Sequence, residues 1–430
     1  MGLAALAVLL SVVMGAIAIG RAGARRWDFE HFYYDARYVL HHGRLNTQDH
    51  LPDDRGGPHL PWYLPPTTLA FVPIVAAGEW IGRRVGVGDA WIAGTIWYAL
   101  SIAAFWLAVW CVGRFWTTGT GGIARGLSRQ LLPVLLCTPA LYEAVRFNQL
   151  SLVCLGLIVG GLTLTLRRSR WGAGGVLIGL AAAIKLIPVV LLGWLVLKRR
   201  WRAVATAAVT IVAVDVGLSL AVFGVDTTIE YHDRWVRRSL SGASGISLIN
   251  EQQHAWIRDR YGHFLDHRNQ GLAVVLGRLL GPIGPDRGSP DTRVMDLPAT
   301  IVGWVYLAIT VASIGGLLWA SRAPARAMMP DTGALEASLW MLAMMWLSPL
   351  MRQYYLIWCY PAVATLAGRF DADLRAGRPT GWCLLGLGAW VGGMLAWMAP
   401  TLRAAGANLW MLALMAVALI GAGRAAADSR

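Results

Sequence analysis

Residues 174–197 read GGVLIGLAAAIKLIPVVLLGWLVL, an apolar run broken by Lys185, one of two lysines in the chain, and flanked by RRSRW (167–171) and KRRWR (198–202). A charge inside a membrane-length segment costs about 2.5–3.5 kcal/mol or more unless a partner or water compensates it, so Lys185 marks a candidate functional site. Basic clusters favour the cytoplasmic side. With both clusters there, the chain between them must cross and return, which puts Lys185 and Pro188 at an outward-facing tip. The competing reading is one long helix whose lysine snorkels or pairs internally.

Composition sets the class. Of 430 residues 56% are hydrophobic and 14% charged, and mean hydropathy is +0.51. That is too little polar surface for a soluble globule of this size and predicts an all-α polytopic membrane protein. The formal net charge is +14, but the arginines fall in short runs between apolar segments. Such runs signal topology, and no nucleic-acid partner is expected. The five cysteines lie in apolar stretches without metal-ligand spacing and read as small core residues. The opening MGLAALAVLLSVVMGAIAIG lacks a basic leader and reads as a first transmembrane helix rather than a signal peptide.

Segments long and apolar enough to cross fall at 2–20, 90–113, 130–145, 149–166, 171–185, 186–198, 202–223, 298–320, 335–350, 353–367, 380–399 and 406–424, about twelve transmembrane segments in one domain spanning 1–430. The stretch 67–82, with Pro73, Glu79 and Trp80, is expected to lie as a juxtamembrane helix on the outer interface, because a further crossing there would export the arginines that follow. Two long extracytoplasmic loops result, 21–89 and 224–297, and together they hold all nine histidines. The turns at Arg146–Gln149, Lys185–Pro188 and Pro349–Tyr355 point to the same side.

Polar chemistry is thus gathered on one face. The first loop offers Asp28, Glu30, His31, Asp35 and Arg37, and a carboxylate at the water–membrane boundary beside cations can serve as a general base. The histidine spacing matches no metal template, so no metal is expected. Phosphate-cradling GxxxxGK[ST], dinucleotide-binding GxGxxG and nucleophile-elbow GxSxG patterns do not occur in a supporting context. The remaining kit of carboxylate, cations and lipid-exposed cleft suits a lipid-phosphate substrate. A transporter or flippase of a lipid-linked anion, using Lys185 and Asp215 as intramembrane charges, is the alternative.

Six stretches in order carry a family resemblance: DFEHFYYDARYVLHHGRL (28–45), YLPPTTLAFVPI (63–74), FNQLSLVCLGLIVGGL (147–162), GVLIGLAAAIKLIPVVLLGWLVLKRRWRA (175–203), NQGLAVVLGRLLG (269–281) and WLSPLMRQYYLIWCYPA (346–362). Together they resemble glycosyltransferase family 87, polyprenyl-phosphate-dependent enzymes that include mycobacterial phosphatidylinositol-mannoside mannosyltransferases. The resemblance implies a GT-C glycosyltransferase fold, a bacterial plasma-membrane location with an extracytoplasmic active site, and a role in cell-envelope glycolipid synthesis. It further implies inverting transfer of a hexose, mannose by first expectation, from a polyprenyl-phosphate sugar donor to a lipid or glycan acceptor, with membrane lipid around it and no other cofactor. The family's catalytic aspartate maps onto Asp28, with Asp35 second because the family has alanine there. Lys185, Arg268 and Arg352 are the expected donor-phosphate ligands. His31, Tyr33, Arg37, Asn148, Gln149, Asn269, Gln270 and Tyr354 are the expected substrate contacts. Met351 and Arg352 replace a Ser-Trp pair of the family pattern, and Tyr354 and Tyr355 replace a histidine pair.

Overall fold

The apolar runs form helices throughout the computed structural model, which describes residues 2–20, 27–45, 63–116, 129–166, 170–242, 267–281, 290–323 and 330–428. Among the described residues there is no strand. Two compact units share the chain, the first comprising Met1–Cys111, Ala140–Leu192 and Arg200–Val236, the second Val112–Pro139, Gly193–Arg199 and Arg237–Arg430.

In the first unit, adjacent glycines set the packing around the helix Trp171–Ile184. A Cβ on Gly174 would meet the Gly161 carbonyl and Thr165 of the helix Ser151–Leu166, while one on Gly175 would meet Ala203 and Thr206 of the helix Trp201–Val212. Small residues let helix backbones approach this closely in lipid. The register fixes direction. Gly161 also faces Ile178, so Ser151–Leu166 runs antiparallel to Trp171–Ile184; Gly179 faces Ala207 and Thr210, so Trp201–Val212 runs parallel to it. Two parallel helices require the chain between Ile184 and Trp201 to return along their length. The extended Lys185, the short 3₁₀ turn Ile187–Val189 and the helix Val190–Leu197 make that return. Arg200 lies 4.5 Å over the Trp171 ring, at the end remote from Lys185.

The helix Asp89–Phe115 runs parallel to Ser151–Leu166, since Gly156 meets Ala104 while the Trp97 indole donates to the Asn148 carbonyl at 3.0 Å. The opening helix Gly2–Gly20 runs antiparallel to it, with Gly15 against Tyr98 and the Trp106 indole donating to Ser11 Oγ at 3.0 Å. Gly20, Asp89, Ser151 and Lys185 therefore share one end of the unit.

In the second unit, the helices Gly381–Ala396 and Ala407–Asp428 form an antiparallel pair, Gly386 against Ala418 and Gly393 against Met411. Pro330–Trp346 packs beside them. Lys198, which opens the basic cluster at 198–202, is buried here. Its ammonium pairs with Glu336 at 2.6 Å and donates to the carbonyls of Ser321 and Ala323 at 2.7 and 2.6 Å, satisfying acceptors at the end of the helix Ala299–Ala320.

Of the twelve expected crossings, the described residues match only part. Among the described residues four helices are long and apolar enough to span, Asp89–Phe115, Trp201–Val236, Ala299–Ala320 and Ala407–Ala425, and five shorter apolar helices accompany them. The stretch 130–145 is two short helices, Leu131–Leu136 and Thr138–Arg146, because Pro139 has no N–H to continue the backbone ladder past Cys137. The stretch 353–367 begins as the 3₁₀ segment Gln353–Cys359. Helix also continues past 223 to Gly242, bent at a π-helical turn, Ala213–Leu218, and at Gly224 with φ 77°. Much of both long loops, at 46–62, 243–266 and 282–289, lies outside the described residues, as do the arginine-bearing 117–128 and 167–169.

Candidate active site

Lys185 is buried at the shared end of the first unit, just beyond the C-terminus of Trp171–Ile184. Its ammonium donates to Gln149 Oε1 at 3.4 Å and Ser151 Oγ at 3.5 Å, and lies 6.0 Å from the centre of the Tyr63 ring. These two contacts fix the position of the ammonium. The turn that offers them is built by Asn148, whose φ of 49° is left-handed backbone that asparagine tolerates at a helix C-terminus. Its side chain donates to the Gly94 carbonyl at 3.3 Å. Ser151 and Tyr63 escaped the sequence reading, although both lie in the motifs quoted above.

Two further helices begin here. Pro65–Val85 follows Tyr63, and its Thr67 hydroxyl donates to the Ile184 carbonyl at 3.2 Å. Trp27–His42 packs on it in parallel: Phe29 and Phe32 lie 6.2 and 4.9 Å from Phe71, Phe32 lies 4.8 Å from Tyr63, and further along Arg37 and His41 reach Glu79. Phe71 in turn lies 4.5 Å from Trp97. Phe29, fully buried, thus pins the first turn of its helix at the Lys185 end. Asp28 precedes it in that turn; its side chain is outside the described set. The buried ammonium at this end favours an anion.

The other candidates of the Trp27–His42 helix lie further along it. His31 and Asp35 are partly buried, and one carboxylate oxygen of Asp35 has no solvent contact. Burial pushes the Asp35 carboxyl well above the usual range. Burial, and then the charge of Asp89, raise the Tyr33 hydroxyl. Arg37 donates to Glu79 Oε1 at 3.1 Å. Glu79 was visible in sequence only as an interfacial residue, yet it gathers Arg37, His41 and Arg83.

Arg268, Asn269, Gln270, Arg352 and Tyr354 belong to the second unit. Asn269 Oδ1 accepts from the backbone N–H groups of Gly271 and Met351 at 2.9 and 3.0 Å, and its amide donates to the Pro349 carbonyl at 3.4 Å. Gln270 donates to the carbonyls of His267 and Arg403 at 2.8 and 2.7 Å. Both side chains are fully buried and tie the 267–271 turn to its neighbours. Arg352 follows Met351 as the extended residue that opens the Gln353–Cys359 segment. Tyr354 is buried with its ring 4.8 Å from that of Tyr355, and Arg268 is exposed. Asn269→Ala should destabilise the protein by about 1–3 kcal/mol for each amide left unsatisfied. A lowered unfolding midpoint in detergent checks this, and an unchanged midpoint would refute the anchoring role.

Among the described residues, no group of three His, Cys, Asp or Glu side chains could hold a metal ion.

The profile of glycosyltransferase family 87 matches residues 62–295. A curated relative, the polyprenol-phosphate-mannose-dependent alpha-(1-2)-phosphatidylinositol pentamannoside mannosyltransferase of Mycolicibacterium smegmatis, is 28% identical over 251 residues, which is 58% of this chain. The match spans 50% of that relative's own length. Among solved structures, that of ArnT from Cupriavidus metallidurans bound to undecaprenyl phosphate is similar over 98% of this chain and 77% of its own, with 15% identity and a TM-score of 0.40. With the family profile covering more than half of its residues, this multi-pass helical chain belongs to glycosyltransferase family 87.

Proposed function

We propose that this protein is an inverting glycosyltransferase of the plasma membrane that moves a hexose, mannose by the relative's name, from a polyprenyl-phosphate donor to a lipid or glycan hydroxyl on the extracytoplasmic face. The observation that carries the reading is Lys185, a cation buried in the first unit against Gln149 and Ser151 at the end where the Asp28-bearing helix begins. It supports a site in which a cation faces a phosphate and a carboxylate faces the acceptor.

In the proposed reaction Asp28 takes the proton of the acceptor hydroxyl as that oxygen attacks the anomeric carbon. The bond from that carbon to the phosphate oxygen breaks on the opposite face, and its electron pair leaves with polyprenyl phosphate, so configuration inverts. Lys185 stabilises the growing phosphate charge. His31, Tyr33 and Gln149 contact substrate. Asn148, Asn269 and Gln270, whose side chains bond to backbone, act by shaping the turns that carry their neighbours. Family membership favours this reading over transport without chemistry.

Purified protein incubated with radiolabelled polyprenyl-phosphate mannose and a crude lipid extract should yield a labelled product, and transport of intact donor without transfer would sink the proposal. Activity should also survive EDTA, since a fixed ammonium can supply the cationic field that a metal gives elsewhere. Loss of transfer that magnesium or manganese restores would recast the acids as metal ligands.

A further inference from the structure

Away from Lys185, the first unit carries a basic cluster to which the transfer reaction gives no task. Glu79, buried on the Pro65–Val85 helix, accepts from Arg37 at 3.1 Å through Oε1 and from Arg83 at 3.4 Å through Oε2. His41 Nε2 lies 2.8 Å from the same Oε1. One carboxylate thus gathers three bases whose side chains are 45%, 78% and 48% exposed, in the order Arg37, Arg83, His41, while its own is 7% exposed. Arg84 lies 3.7 Å over the exposed Trp80 ring beside them. With Asp89 4.0 Å from Arg37, three guanidiniums face two carboxylates, a net positive charge before His41 is counted. Thr67 and Glu79 are twelve residues apart on one helix, about 18 Å by helical rise, so this cluster is separate from the Lys185 site.

Its depth in the membrane follows from Asp89. The helix Asp89–Phe115 has 27 residues and so is about 40 Å long, close to the thickness of a bilayer with its headgroup regions. Its first residue therefore stands in the headgroup layer, and the cluster touches that residue. Next to it, Trp80, Val85 and Val87 are exposed apolar side chains bordering the arginines, a pattern suited to the boundary between headgroup and acyl chain.

We propose that the Glu79-centred cluster is a binding site for the phosphodiester headgroup of an anionic phospholipid. Glu79 spaces the bases, Arg37 and Arg83 supply the donors, and Trp80 with Val85 and Val87 meets the upper acyl chain. The site goes beyond the transfer reaction and stands or falls without it.

The full chain, reconstituted in nanodiscs of phosphatidylcholine with a minor share of phosphatidylglycerol, should retain phosphatidylglycerol preferentially when the bound lipids are counted by mass spectrometry. Arg37→Ala and Arg83→Ala should each reduce that preference by about fivefold. The charge-preserving pair Arg83→Lys and Arg84→Lys should keep most of it, and counting only monodisperse protein separates loss of the site from loss of the fold. An unchanged preference in both alanine variants would overturn the proposal. Displacement of phosphatidylglycerol by millimolar sn-glycerol 3-phosphate would overturn the lipid assignment in favour of a soluble phosphate ester.

Discussion

Replacing Asp28 by asparagine should lower turnover by about 10²–10⁴-fold, the range over which a positioned general base contributes, while the protein folds and binds donor as before. Asparagine keeps the shape and removes the proton acceptor. The position suits the role. Phe29, buried against Phe71, anchors the turn that carries Asp28 at the Lys185 end, whereas Asp35 lies two turns further along the same helix. Asp35 also differs in its surroundings, because burial disfavours its charged form and raises its carboxyl well above the usual range. Asp35→Asn should therefore leave most of the turnover intact. Single-turnover assays with radiolabelled donor separate the two acids, and near-normal turnover in Asp28→Asn with collapse in Asp35→Asn would exchange their roles.

What could be read in sequence followed from features with a local physical meaning. A lysine in an apolar run and arginine clusters on both sides imply a return of the chain near Lys185, and the parallel register of Gly175 on Ala203 and Gly179 on Ala207 requires that return. The number of crossings was less legible, because hydropathy does not register where Pro139 divides 130–145 or where 353–359 winds as 3₁₀ helix. Polar residues were found as candidates, but their partners were not. Glu79 is 42 residues from Arg37 and Asn269 is 82 from Met351, and contacts at such separations leave no periodicity to detect. For the same reason the family pattern marked Asn269 and Gln270 without revealing that their amides bind backbone.

Lys185→Ala should weaken donor binding and lower turnover together, the latter by about 10²–10³-fold, the loss seen when a fixed donor to a developing negative charge is removed. Two distinct effects are expected because a fixed cation attracts the ground-state phosphodiester of the donor and attracts more strongly the charge that builds as the phosphate departs. The second effect is large only where water is excluded, and Lys185 is buried. Free polyprenyl phosphate, which carries the full departing charge, should lose at least as much affinity as the sugar-bearing donor. A variant that weakens donor alone would put the lysine on the sugar rather than the phosphate. Lys185→Arg offers a finer test, since the bulkier guanidinium must fit between Gln149 and Ser151, which the ammonium contacts at 3.4 and 3.5 Å. It should recover phosphate binding more fully than turnover, because charge is restored while its placement against the leaving oxygen is not. Equal recovery of both would mean that charge at this end of the unit suffices and that Gln149 and Ser151 contribute no positioning.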